Sequence, residues 1–77
     1  MKELIEFIAK ALVDNPDAIA VSEEVDADGT ILVKLAAAHE DMGRIIGKQG
    51  RTAKAMRTLL NAKATRENKR AVLQILE

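Results

Sequence analysis

The first repeated pattern of apolar residues along the chain has the spacing of an α-helix. Apolar side chains three and four positions apart form one face of a helix. The positions that carry this pattern are Leu4, Ile5, Ile8, Ala9 and Leu12. Asn15-Pro16 follows, and proline disfavours the helical conformation at the residue before it. The pattern therefore predicts a first helix that ends before Asn15.

The next segment alternates apolar and polar residues and predicts two strands. The apolar members are Ile19, Val21 and Val25, followed after a break by Ile31, Val33 and Leu35. The break is the sequence DADG at residues 26–29, whose residue types favour turns. Alternation on both sides of a short turn is typical of a β-hairpin.

The second half of the chain predicts two more helices and a last strand. Glu40 or Asp41 can cap a short helix over residues 42–46. After a group of glycines, apolar residues recur at helical spacing at Ala53, Met56 and Leu60, with Leu59 beside them. Residues 72–76 are then predicted as a strand. The predicted order is α-β-β-α-α-β, which is an α+β fold.

Length and composition limit the possible classes of function. A chain of 77 residues buries one small core, so we expect a single domain over residues 1–77. The chain has no cysteine, which excludes disulfides and thiolate metal sites. Its apolar runs are far shorter than the roughly 20 residues of a membrane span, and no signal peptide is apparent. We therefore expect a cytoplasmic protein.

Charge is distributed unevenly although the formal net charge is zero. Residues 1–43 contain three basic and ten acidic side chains, whereas residues 44–70 contain nine basic side chains and one acid, Glu67. Such polarity predicts an anionic partner for the second half. The alternative is that the two halves neutralise each other across the fold.

The glycines lie mostly in one stretch, GRIIGKQGR at residues 43–51. Gly47 and Gly50 allow a sharp turn between the two helices. The turn leaves N–H groups free at the start of the next helix, where an anion is favoured. Lys48 adds a charge and Gln49 a polar side chain. Further basic residues flank the turn at Arg44, Arg51 and Lys54.

Other interpretations of this stretch can be compared by spacing. A Walker phosphate loop needs four residues between its glycines and a Ser or Thr after the lysine, and a dinucleotide-binding loop needs Gly-x-Gly-x-x-Gly after a strand. Neither pattern is present. A helix-hairpin-helix DNA module stays open from these residues alone, as does a plain turn between helices with solvated charges. The predicted strands on both sides disfavour the DNA module.

The combination of Gly47-Lys-Gln-Gly50 between two helices, the preceding Arg44-Ile45-Ile46 and the element order resembles a K-homology (KH) domain of the second, bacterial topology. The stretch EDMGRIIGKQGRTAKAMRTLLNA is similar to the KhpA family of single-KH RNA-binding proteins. The resemblance spans essentially the whole chain. It implies a three-stranded sheet packed against three helices.

The resemblance also implies a function and its site. A KH groove holds about four single-stranded nucleotides between the GXXG loop and an apolar strand. Ile45 and Ile46 precede the loop, and we expect one to face the bases and the other the core. Phe7 is the only aromatic residue, which excludes an aromatic stacking platform. Post-transcriptional regulation or RNA chaperoning would follow from such binding.

Association is a further expectation. The apolar residues of the longer helix cover more than one stripe, so a dimer interface is predicted near Leu59, Leu60, Ala62 and Lys63. The family resemblance implies self-association or pairing with a larger KH protein of the Jag or KhpB type. A KH-fold protein-interaction module is therefore one alternative to an RNA-binding module, and a DNA-binding module, suggested by the glycine turn between two helices, is the other.

Catalysis and metal binding have little support. His39 has no second histidine or cysteine near it, and Glu40 and Asp41 are the acids expected at a helix start. We predict no enzyme activity, no cofactor, no metal and no small-molecule substrate.

Overall fold

The computed structural model describes residues 1–76 and contains three helices and three strands. The helices are α1 (Lys2–Leu12), α2 (Met42–Ile46) and α3 (Arg51–Arg66). The strands are β1 (Ala20–Val25), β2 (Ile31–Ala36) and β3 (Ala71–Leu76), and short 3-10 turns occur at Pro16–Ala18, His39–Asp41 and Lys48–Gly50. The predicted order α-β-β-α-α-β is confirmed.

The three strands form one sheet in the order β1-β2-β3. β1 pairs antiparallel with β2, as in the predicted hairpin, and β2 pairs parallel with β3. Val33 lies opposite Glu23 on one side and Leu73 on the other. Successive side chains of a strand point to opposite faces, so the buried residues of β2 and β3 share the face that the helices cover, whereas Val72 and Leu76 lie on the other face and are exposed.

One hydrophobic core joins the sheet to all three helices. Its buried members come from α1 (Ile5, Ala9), α2 (Ile45), α3 (Met56, Leu60, Ala64), β2 (Ile31, Val33, Leu35) and β3 (Ala71, Leu73). This is a three-stranded sheet packed against three helices, so the predicted fold class is confirmed. No helix within residues 1–76 is both long and apolar enough to cross a membrane.

The edge elements differ in detail from the pattern in the sequence. In α1 the face centred on Ile5 and Ala9 is buried, whereas Leu12 is exposed. In β1 only Val21 is half-buried, and Val25 is 66% exposed. β1 is one of the two edge strands of the sheet, and Val25 at its far end stays largely exposed. The apolar pattern therefore located these elements without indicating how far each apolar side chain is buried.

Candidate nucleic-acid interface

The loop between α2 and α3 has a backbone conformation that requires glycine. Gly47 has φ 78° and ψ 169°, a region that is essentially restricted to glycine. Gly50 is left-handed at φ 74° and ψ 12°, and Gln49 between them also has a positive φ of 57°. The loop therefore makes a tight reversal directly before α3.

The two glycines have different surroundings. A Cβ on Gly47 would lie 2.8 Å from the backbone nitrogen of Thr52 and would overlap the Thr52 side chain. Gly47 is therefore packed against the first turn of α3. A Cβ on Gly50 would meet nothing within 4 Å, so this side of the loop is open to a ligand.

The loop and the first turns of α3 carry basic side chains that have no acidic partner among the described residues. Within residues 1–76, no carboxylate lies within 4.0 Å of the charged atoms of Lys48, Arg51 or Lys54. All three side chains are exposed. Arg51 instead donates a hydrogen bond of 3.2 Å to Oε1 of Gln49. These cations are available to an anion, which the N-terminus of the 16-residue helix α3 also favours.

The wider pattern of ion pairs weighs against neutralisation between the two halves of the chain. Of the nine basic residues in 44–70, only Arg44, Lys63 and Lys69 pair with an acid among the described residues. Lys63 and Lys69 pair locally with Glu67. Within residues 1–76, the pair of Arg44 with Asp14 is the only ion pair within 4.0 Å that joins the basic half to the acidic one. The pKa of Asp28 is also lowered, chiefly by a hydrogen bond with Asp26 and to a smaller extent by the charge of Arg70. Among the described residues, most basic side chains of the second half therefore form no ion pair.

Arg44 differs from the other predicted site residues. Its Nη2 atom lies 3.1 Å from Oδ2 of Asp14, in the connection after α1, and both side chains are more than half exposed. A helical side chain leans toward the N-terminus of its helix. The guanidinium is accordingly turned toward the start of α2 and away from the loop.

One of Ile45 and Ile46 faces the core, as predicted. Ile45 is fully buried in the core, and Ile46 is half-buried. Because Ile45 is buried in the core, it cannot contact a ligand in this conformation. Its prediction as an RNA-binding residue is corrected accordingly. Ile46 is the residue of the pair that can contact bases.

A cleft of about 250 Å³ separates α3 from β3. β3 pairs with β2 on one side only, so its other edge is free within the described sheet. The cleft is lined by Arg57, Leu60, Asn61 and the first half of β3, Ala71, Val72 and Leu73. An apolar floor with a few polar groups at its rim suits a nucleobase.

Sequence reasoning missed Arg57 and Asn61. Both follow Lys54 at helical spacing, three and seven positions later, so a shared helix face was the signal that could have found them. The sequence did not show where β3 packs relative to α3, and that packing decides which polar face of α3 borders a cleft.

The predicted dimer residues do not all lie on one surface. Leu60 is 1% exposed and belongs to the core, so its assignment to an interface is wrong. Leu59 is 50% exposed, and Ala62 and Lys63 are also at the surface. Leu4 of α1 lines a shallow depression together with these three residues. The exposed apolar surface is therefore shared by α1 and α3.

Asp41 is the buried polar residue of the chain's described part, at 2% exposure. It stands at the N-cap position of α2 but caps no N–H group of that helix. Its carboxylate instead accepts hydrogen bonds from the backbone N–H of Asn15 at 3.1 Å and of Asp14 at 3.4 Å. Asp41 thus connects the start of α2 to the segment after α1, a role that its position in the sequence did not indicate.

The acids and the histidine of the described residues form no metal-binding cluster. His39 and Glu40 are exposed. Within residues 1–76, no group of three or more His, Cys, Asp or Glu side chains is arranged to hold a metal ion.

Comparison with known proteins gives a consistent family. The family model described as "KhpA/KhpB, KH domain" matches residues 2–75. The RNA-binding protein KhpA of Clostridium acetobutylicum is 55% identical over 76 residues, which cover 99% of this chain and all of that protein. The RNA-binding protein KhpA of Listeria monocytogenes is 47% identical over the full length of both.

A solved structure shares the fold. A crystal structure of Aquifex aeolicus Era superposes with a TM-score of 0.65 at 18% identity. The match covers 96% of this chain and 28% of that chain. At this identity the likeness concerns the fold alone.

Proposed function

This chain belongs to the KhpA/KhpB family of KH domains, and from that membership and the geometry of its loop we propose that it binds single-stranded RNA. The family is one of KH-domain proteins and not of enzymes, which confirms the prediction that the chain is not an enzyme.

The observation that carries the proposal is the open glycine loop with unpaired cations beside it. Gly50 leaves space for a phosphodiester to approach the backbone. Lys48, Arg51 and Lys54 have no acidic partner in the described chain. Phosphate contacts of this kind position a nucleic acid without reading its sequence. In this proposal the loop holds the backbone of about four nucleotides, as GXXG loops do.

The bases then lie toward the cleft between α3 and β3. Ile46 and the apolar floor of the cleft contact their faces, and Arg57 and Asn61 reach their edges. Base edges of unstacked single strands are the usual source of sequence preference in RNA recognition. A duplex would not fit, because its bases are already paired and stacked.

The test replaces Lys48 and Gln49 by Asp together and measures the affinity for a fluorescent single-stranded RNA. Gly47 and Gly50 are kept, so the turn stays intact while two negative charges face the phosphates. We expect affinity to be lost and thermal unfolding to be unchanged. The matched control is Lys2→Asp with Ser22→Asp, which changes the net charge equally at exposed positions away from the loop. Equal loss in both variants would refute the site.

The salt dependence gives an independent measurement. If three to five basic side chains contact phosphates, log affinity against log salt falls with a slope of roughly −2 to −4, from about −0.7 per phosphate for single strands. Competition with unlabelled single-stranded DNA and duplex DNA separates RNA binding from the DNA-binding alternative. Effective competition by duplex DNA would favour that alternative.

Self-association through the exposed face of α1 and α3 is the second candidate function. Two observations favour it. Leu59 is exposed, and it lines a surface depression together with Leu4, Ala62 and Lys63. A second copy of the chain, or a larger KH protein of the Jag or KhpB type, would bury this face. Sedimentation of the purified protein alone tests self-association, and sedimentation of a mixture with such a partner tests pairing with a larger KH protein.

The cellular role follows from the family resemblance only. A cytoplasmic location and a role in RNA chaperoning or post-transcriptional regulation stay predictions.

A further inference from the structure

Asp14 forms an ion pair with Arg44, one of the basic residues that flank the loop. Its carboxylate lies 3.1 Å from Arg44, and this is the pair that links the acidic and basic halves of the described chain. Arg44 is separated from Gly47 by two residues. Its planar guanidinium binds a carboxylate or a phosphate by the same donor atoms, so a phosphate competes with Asp14 for those donors.

Asp14 is held in place by the backbone. Its own N–H and that of Asn15 donate to the buried carboxylate of Asp41 at the start of α2. The side chain of Asp14 is thereby kept beside α2 even when its contact with Arg44 opens. The contact itself is weak, because both side chains are more than half exposed and water screens them. It is an ion pair that can be exchanged for another anion.

We propose that Asp14 is an intramolecular competitor for RNA phosphate, which withholds Arg44 from the bound strand and so lowers the affinity. This inference rests on the proposed RNA-binding function. Asp14 acts through Arg44 and is therefore a positioning residue rather than a contact residue. When Asp14 loses its charge, Arg44 is free to turn toward a phosphate beside the loop.

The experiment measures the affinity of Asp14→Asn for a fluorescent single-stranded dodecaribonucleotide across a salt series. We expect binding about two- to fivefold tighter, the range of an exposed ion pair. We also expect a slope of log affinity against log salt that is steeper by about 0.7, because one more phosphate is contacted. A purely structural role of Asp14 would not steepen this slope.

Asp17→Asn is the matched control. Asp17 is exposed in the same connection, and within residues 1–76 it forms no ion pair. The substitution removes the same charge without releasing Arg44, so the slope should stay that of the native protein. In an Arg44→Gln background, Asp14→Asn should change binding no more than Asp17→Asn does.

Two results would overturn the inference while leaving RNA binding intact. An unchanged slope in Asp14→Asn would show that Arg44 does not exchange partners. Weaker binding would show that Asp14 orients Arg44 for the RNA instead of withholding it. A native protein that fails to bind the strand, or a loop variant that binds as well as the native one, would refute the proposed function itself and this inference with it.

Discussion

Replacing Asp41 by alanine should destabilise the fold strongly, although Asp41 lies outside the apolar core. The substitution removes the acceptor of two backbone N–H groups, from Asn15 at 3.1 Å and Asp14 at 3.4 Å. Hydrogen bonds to a charged group contribute about 1.5–3 kcal/mol each, but a distance of 3.4 Å lies beyond the usual range. Counting the longer bond as weak, we expect a loss of about 2–4 kcal/mol.

The loss is large relative to the stability of a small domain. At roughly 0.05–0.15 kcal/mol per residue, this chain is stable by about 4–12 kcal/mol. A change of 1 kcal/mol shifts the Tm of a domain of this size by about 4–8 °C, so the Tm of Asp41→Ala should fall by about 8–30 °C. Helix α2 has five residues and is too short to persist alone. In Asp41→Ala its backbone amides should therefore lose their protection from hydrogen exchange before those of the other helices.

Urea unfolding followed by far-UV circular dichroism is the suitable assay, since the chain has no tryptophan or tyrosine. Glu40→Ala is the control, because Glu40 is the exposed neighbour at the same helix start; surface changes of this kind stay within about 0.5 kcal/mol. Asp41→Asn keeps one acceptor and should lie between the two. If Asp41→Ala were as stable as Glu40→Ala, the connection between α1 and α2 would not depend on this carboxylate.

Three further predictions concern the loop, the long helix and the cleft. Gly47→Ala should destabilise the fold more than Gly50→Ala in urea unfolding, because only a Cβ on Gly47 meets the backbone of Thr52; equal losses would contradict the packing. Leu60→Asp should unfold the domain, as a core residue would, whereas Leu59→Asp should give a folded monomer in sedimentation equilibrium; a native protein monomeric at micromolar concentration would exclude the homodimer. Arg57→Gln should weaken RNA binding and relax the preference for particular bases, while the slope of log affinity against log salt stays that of the native protein, because Arg57 is proposed to reach base edges; a slope shallower by about 0.7 would place Arg57 on a phosphate instead.

The order of elements could be predicted from the sequence because each element has a clear local pattern. Helical spacing in α1 and α3, alternation in β1 and β2, and the glycines before α3 are properties of neighbouring residues. Asn15-Pro16 likewise marks the end of α1, which the structure places at Leu12. Local patterns of this kind need no knowledge of the partners across the fold.

Partners that are distant in sequence could not be predicted in this way. Asp41 looked like a helix cap because of its position before α2, yet its carboxylate binds a segment 26 and 27 residues earlier. Leu59 and Leu60 are adjacent and chemically identical, and only the direction of the core distinguishes them. The sequence therefore indicated that α3 has surplus apolar residues without showing which of them is exposed.

The two exposed faces of α3 explain how one helix can serve both candidate functions. Successive residues of an α-helix turn by about 100°, so Arg57 and Leu59 point to nearly opposite sides. Arg57 borders the cleft with β3, whereas Leu59 lies in the depression with Leu4. The buried face of Met56 and Leu60 separates them on the inner side. A partner on the Leu4 side of Leu59 would therefore leave the cleft open, whereas a partner that also covered the depression shared by Leu59, Arg51 and Lys54 would reach the cations beside the loop. Two copies joined on the Leu4 side would carry two RNA sites in one assembly. If each site holds about four nucleotides, as proposed, joining two sites would raise the apparent affinity for a longer strand without any new contact to the RNA.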